Sequence, residues 1–247
     1  MGEGRPRLQQ PTDLSGVLDA LAPLRPPSAP FIVGITGAVA AGKSVFAGQL
    51  AEALSARGER VESVSTDGFL MTNARLAELG LTDRKGFPES YDHTALARAL
   101  TEIRLGPSTF PAYSHITYDV DETLARRIDP PDVLILEGLA LRRPETGPAK
   151  LLDALIYIDA EEADLEAWYV ARFLGFWAAA EDDPQSFYFR FRHMDEAAVT
   201  GLARMVWAQV NLKNLREHIV DARAVADLVI RKGADHAILT LETSGAA

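Results

Sequence analysis

Gly37-Ala38-Val39-Ala40-Ala41-Gly42-Lys43-Ser44 is a complete G-x-x-x-x-G-K-S run, and residue types in this order are suited to gripping a chain of phosphates. Glycine at each end lets the backbone turn and approach oxygen atoms with no Cβ in the way. Successive N–H groups, with the N-terminus of a following helix, then form a nest of partial positive charge. Lys43 adds a full charge for the β- and γ-phosphates, and the Ser44 hydroxyl is a ligand for magnesium. Two carboxylates stand in comparable places: Glu137 closes the apolar run 133–136, and Asp67 follows the stretch 61–65. In open α/β sheets, ligands bind outside the carboxyl ends of the strands. Glu137 there suits a direct or water-mediated magnesium contact. Asp67 suits orienting an alcohol and accepting its proton. Each has a plain structural alternative, since a strand-end glutamate can cap a helix and an aspartate before Gly68 can close a turn.

These groups do chemistry only if strands and helices bring them together. Residues 31–36 read as a buried strand entering the glycine loop, and 43–57 carry helical apolar spacing through Val45, Phe46, Leu50 and Leu54. Further strands are expected at 61–65, 133–136, 154–159, 226–230 and 237–241, with a strand or hairpin over 110–118. Helices are expected at 74–79, 93–104, 161–177 and 195–219. Buried strands alternating with helices predict an α/β fold, a mostly parallel sheet covered on both faces. Residues 1–29, with Pro6, Pro11, Pro23, Pro26 and Pro27, read as a loosely attached arm carrying one helix, and 30–247 as a single domain.

Composition narrows the function classes. With 247 residues, 47% hydrophobic and 24% charged, the chain is of ordinary globular make-up. A net charge of −10 is poorly suited to tracking a nucleic-acid backbone. The absence of cysteine removes disulfides, thiolate catalysis and cysteine-held zinc. No apolar run reaches the length of a membrane span, and the N-terminus lacks the apolar core of a secretory signal. No nucleic-acid or membrane partner is expected, and the setting is read as cytoplasmic.

The glycine loop alone does not separate kinases from GTPases, ATPases or motors. Thr66-Asp67-Gly68-Phe69-Leu70 and Asp83-Arg84-Lys85-Gly86-Phe87-Pro88-Glu89-Ser90-Tyr91-Asp92 closely resemble type I (bacterial) pantothenate kinase. So do Tyr113-Ser114-His115 with Tyr118-Asp119, Ile135-Leu136-Glu137-Gly138, Trp168-Tyr169 with Arg172-Phe173, Asn211-Leu212 with Asn214-Leu215, and Lys232 with His236. The likeness spans roughly residues 31–241.

The resemblance implies a three-layer P-loop NTPase fold of sheet order 2-3-1-4-5. It also implies phosphorylation of the primary hydroxyl of pantothenate by ATP and magnesium, at the entry to coenzyme A biosynthesis, by a homodimer. By this matching Asp67 engages the acceptor hydroxyl and Arg172 bridges the transferring phosphoryl group. Tyr113, His115, Tyr118, Tyr169 and Asn211 line the acceptor pocket, while Lys232 and His236 contact the adenine. On the residues alone, Tyr169 and Arg172 fall three apart on one helix and so share a face. Three departures stand out. Only 36 residues precede Gly37, which is expected to leave one wall of the adenine site missing. Gly48 replaces an arginine that engages coenzyme A, which is expected to weaken feedback by that product. Val45 stands where threonine is common. A related kinase of a sugar or nucleoside, or a nucleotide-hydrolysing regulator, remains the alternative.

Overall fold

The computed structural model describes residues 7–139, 141 and 150–244. Residues 1–6 of the expected arm and 245–247 of the expected domain lie outside them. The architecture is set by three consecutive-apolar strands: β2 (Phe31–Gly37) and β6 (Val133–Glu137) are buried at every position, and β7 (Ala154–Asp159) at all but its last. Strands buried on both faces have no polar alternation, which is why each reads as an unbroken apolar run. Side chains such as Ile32, Ile35, Leu134 and Ile156 are wholly enclosed, each contributing roughly 1.5–3 kcal/mol by removal from water.

β6 and β7 flank β2 in parallel, β3 (Val61–Ser65) lies outside β6, and β8 (Leu228–Lys232) lies outside β7. Counting only these parallel strands along the chain, the order is 2-3-1-4-5, as expected. β9 (Ile238–Ser244) then adds antiparallel to β8, and β1 (Arg7–Pro11) antiparallel to β9. The proline-rich start is thus tied in more firmly than its composition suggests. The Asp13 side chain caps α1 (Leu14–Leu21) by accepting from Gly16 N at 3.1 Å, and Val17, Leu18 and Leu21 enter the core. An edge strand is held by main-chain pairing, so it needs no apolar alternation in sequence.

The helices follow their spacing closely. α2 (Lys43–Ser55) buries Phe46, Ala47, Leu50 and Leu54, and α4 (His93–Ile103), capped by Asp92, buries Leu96, Ala99, Leu100 and Ile103. α3 (Asn73–Glu78) is short, and α5 (Glu162–Ala179) is the longest. The helix expected over 195–219 is not uniform. α6 (Glu196–Val206) passes into a π turn at Trp207–Asn211, then α7 (Leu212–Asn214), a second π turn at Leu215–Ile219, and α8 (Asp221–Val225). Such turns cluster at functional sites.

β4 (Ser108–Ser114) and β5 (Asp119–Ile128) form a separate antiparallel hairpin. β5 escaped the sequence reading because most of it is exposed and polar. One close approach fixes the β6 end: a Cβ on Gly138, at φ 150, would lie 1.8 Å from Thr66 Oγ1. Only glycine lets the turn after β3 and the turn after β6 come this near.

Candidate active site

The phosphate loop joins β2 to α2. Gly37 has φ 143, and a Cβ there would stand 2.5 Å from Ile158 O on β7, so the neighbouring strand leaves room for hydrogen only. Gly42, in the left-handed region, delivers the chain into α2 with that helix's first N–H groups facing the loop. Lys43 Nζ donates to Ala38 O at 2.8 Å and to Gly37 O at 3.3 Å. Burial lowers its pKa, opposed by the charges of Glu137 and Asp67. Glu137 is only 9% exposed; burial raises its carboxyl pKa, opposed by Lys43, and its Oε1 accepts from Ser44 Oγ at 3.1 Å.

Ser44 and Glu137 therefore meet at the head of the loop, with Asp67 close enough to act on both Lys43 and Glu137 electrostatically. Among the described residues no three His, Cys, Asp or Glu converge as a metal cage. A hydroxyl and one or two carboxylates are what a magnesium ion needs when phosphate oxygens and water complete its shell. The residues fit that ion.

Lys232, expected to contact the base, is 5% exposed, and its Nζ donates to Ala41 O of the loop at 3.2 Å. Burial, then Lys43, lowers its pKa. His236, at φ 66, stacks on Trp168 with centroids 3.9 Å apart, and Trp168 Nε1 donates to Ala234 O at 3.0 Å. This flat pair sits at the rim of the loop cavity, about 510 Å³, which also takes in Val39, Lys43, Ser44 and Glu137. His236 further borders a groove of about 590 Å³ lined by Asp13, Leu14, Gln49, Glu52 and Ile238. Asp13 and Leu14, at the start of α1, thus stand on the far side of His236 from the loop cavity. Sequence reasoning gave Trp168 no role, although its place beside Tyr169 was a signal.

Asp67 sits on a short 3₁₀ turn, Thr66–Phe69, closed by Ser65 Oγ accepting from Asp67 N at 3.2 Å. Tyr91 OH donates to Asp67 Oδ1 at 3.2 Å. Beyond it lies a cavity of about 130 Å³ that brings together Tyr113, His115, Tyr118, Tyr169, Arg172 and Asn211, all expected from sequence. Tyr113 lies edge-on to both His115 (5.2 Å) and Tyr118 (5.8 Å). His115 stacks on Phe176 and Tyr118 on Phe187, at 6.1 and 4.5 Å. Burial lowers the pKa of the His115 ring, opposed by the charge of Asp67.

Tyr169 is hydrogen-bonded to Asn211, and burial pushes its hydroxyl up to about 12. The first π turn advances the chain by the extra residue that carries Asn211 to this wall. Glu166, on the same helix as Arg172, faces Arg204 at 3.8 Å. The cavity also holds Lys85. Its Nζ lies 4.9 Å from the Tyr113 ring centre and 4.6 Å from that of Tyr118, and burial lowers its pKa to about 8. Sequence reasoning gave it no role, though it falls inside the ten-residue block 83–92.

Five residues, Val39, Asp67, His115, Leu139 and Arg172, line both the loop cavity and the tyrosine-rich cavity. The two spaces share one wall, and it carries a carboxylate and a guanidinium. Among the described residues no helix is long and apolar enough to cross a membrane.

The Phosphoribulokinase / Uridine kinase family matches residues 32–172. A pantothenate kinase of Mesorhizobium japonicum is 43% identical over 222 residues, covering 85% of this chain and 70% of that protein. One of Clavibacter michiganensis is 42% identical over 223 residues, covering 87% and 70%. Among solved structures, a candidate fructose transport system kinase of Silicibacter sp. superposes with a TM-score of 0.68 at 25% identity, covering 86% of this chain and 95% of that one. The chain belongs to the pantothenate kinase family, within the phosphoribulokinase and uridine kinase group of P-loop folds.

Proposed function

We propose that this protein transfers the γ-phosphoryl group of ATP to the primary hydroxyl of pantothenate, the first step of coenzyme A biosynthesis. One observation carries the reading: the loop cavity and the tyrosine-rich cavity meet at Asp67 and Arg172. The loop amides, Lys43 and Lys232 hold the triphosphate, and the Trp168–His236 pair with the groove beyond it receives the nucleoside. Ser44 and Glu137 would hold magnesium, which when bound neutralises charge on the β- and γ-phosphates.

The acceptor is elongated and polar, with hydroxyls, an amide and a carboxylate. Tyr113, His115, Tyr118, Tyr169 and Asn211 supply neutral donors and acceptors in an otherwise aromatic wall, and Lys85 adds positive potential for the anion. Asp67 orients the primary hydroxyl and accepts its proton as the oxygen attacks. The new O–P bond forms while the bond from the γ-phosphorus to the β–γ bridging oxygen breaks, and ADP leaves. Arg172, planar and always charged, spans the equatorial oxygens during transfer. The work is positioning and electrostatics, with no covalent enzyme intermediate. We place this activity in the cytoplasm and in a homodimer.

ADP release from MgATP, measured with a panel of alcohols, tests the reading. Pantothenate should stimulate turnover well above sugars and nucleosides. Equal or greater stimulation by another alcohol, or hydrolysis indifferent to any acceptor, would refute it.

A further inference from the structure

The tip of the β4–β5 hairpin brings His115 and Tyr118 to the acceptor cavity, yet β5 is largely exposed and the hairpin is a sheet of its own, with no strand pairing to the main sheet. Something must hold the tip at its working position. On one side Phe187 N donates to Ile116 O at 2.7 Å. On the other stands a group built around Asn73, the first residue of α3, which lies outside the cavity and is exposed. Asn73 Nδ2 donates to Tyr118 O at 3.0 Å, and Asn73 N donates to Asp119 Oδ1 at 2.9 Å. Lys85 Nζ donates both to Asn73 Oδ1 (2.6 Å) and to Tyr118 O (2.5 Å).

Asn73 thus uses its main-chain donor and both ends of its amide on one short stretch of hairpin and on the cavity lysine. The residue being gripped needs the grip. Tyr118 has φ 57, a left-handed conformation that a bulky side chain adopts only when its surroundings enforce it. Its carbonyl accepts two donors, one from Asn73 and one from Lys85, which fixes the peptide plane. That plane sets the direction of the Tyr118 ring, stacked on Phe187 and edge-on to Tyr113.

From this geometry we infer that Asn73 is a positioning residue for the acceptor: it clasps the hairpin tip and Lys85 together, so that affinity for the acceptor, and not phosphoryl transfer, depends on it. The inference rests on the proposed function for the identity of the acceptor, but the clasp itself is a property of the protein alone. Releasing it costs the cavity its fixed Tyr118 and Lys85 while leaving Asp67, Arg172 and the phosphate loop in place.

Asn73→Ala removes both amide ends and keeps the main-chain bond to Asp119. Steady-state kinetics should show the KM for pantothenate raised on the order of tenfold, with kcat and the KM for ATP within about twofold of the parent. Hydrogen–deuterium exchange on the free proteins should show amides around 115–120 exchanging severalfold faster in the variant, with the melting temperature little changed. An unaltered acceptor KM overturns the inference, as does a loss shared equally by kcat and both KM values. Unchanged exchange at the hairpin also overturns it. Should the parent protein not turn over pantothenate at all, the functional reading falls, while the exchange comparison still decides whether the clasp exists.

Discussion

The phosphate loop and the acceptor cavity face each other across one wall, but they are built in opposite ways. The loop is eight consecutive residues between a fully buried strand and a helix, and its ligand-binding atoms are mostly main-chain amides. The acceptor cavity is assembled from side chains on a 3₁₀ turn, an outlying hairpin, the long α5 and a π turn. The first derives its geometry from backbone continuity within a rigid sheet. The second depends on contacts between segments far apart in the chain. Substitutions should therefore act locally and chemically at the shared wall, and mainly on affinity in the assembled cavity.

The shared wall should show the largest effects. Asp67→Asn keeps the shape but cannot accept the hydroxyl proton, so pantothenate turnover should fall by about 10²–10⁴, with the KM for ATP nearly unchanged in initial-rate assays. A large rise in that KM instead would move Asp67 from the acceptor side to the nucleotide side. Arg172→Lys keeps charge but loses the planar fork, and kcat should fall about 10²–10³-fold. Parent-like kcat would show that a point charge suffices there.

Between chemistry and affinity lies the close approach that aligns the two carboxylate-bearing turns. Gly138→Ala forces a methyl group against Thr66, 1.8 Å from its Oγ1. Urea unfolding should report a loss of about 1–3 kcal/mol; an unchanged midpoint would mean the turns separate freely. The smallest effect is expected in the assembled cavity as pH rises. Burial brings Lys85 down to about 8 from its ordinary 10.5. Above pH 8 its charge is lost and the KM for the anionic acceptor should climb by a fewfold. The same shift acts oppositely on folding. Between about 8 and 10.5 the unfolded chain binds more protons at this lysine than the native one, so its contribution to stability rises with pH. A flat acceptor KM from pH 7 to 9 would remove Lys85 from binding.

This contrast also explains what could be read from sequence. Backbone-determined features were legible: the loop 37–44, the apolar strands 133–136 and 154–159, and the parallel order all follow from local pattern and from the likeness to known kinases. The cavity residues Tyr113, His115, Tyr118, Tyr169 and Asn211 were legible only as matches, because no spacing rule predicts that a hairpin, a helix and a π turn converge. What escaped was of two kinds. β1 and β5 are held by main-chain pairing without apolar alternation, so periodicity is silent about them. Lys85 was missed because its placement depends on burial, which a sequence does not display: it lies over two tyrosine rings.

The account turns on direct passage of a phosphoryl group through the wall between the two cavities. ATP made chiral at the γ-phosphorus, with pantothenate as acceptor, reports that passage in its product. A single in-line attack inverts configuration at phosphorus, and inversion is predicted; retention would mean two successive transfers and an enzyme-bound intermediate, contrary to the arrangement of Asp67 and Arg172.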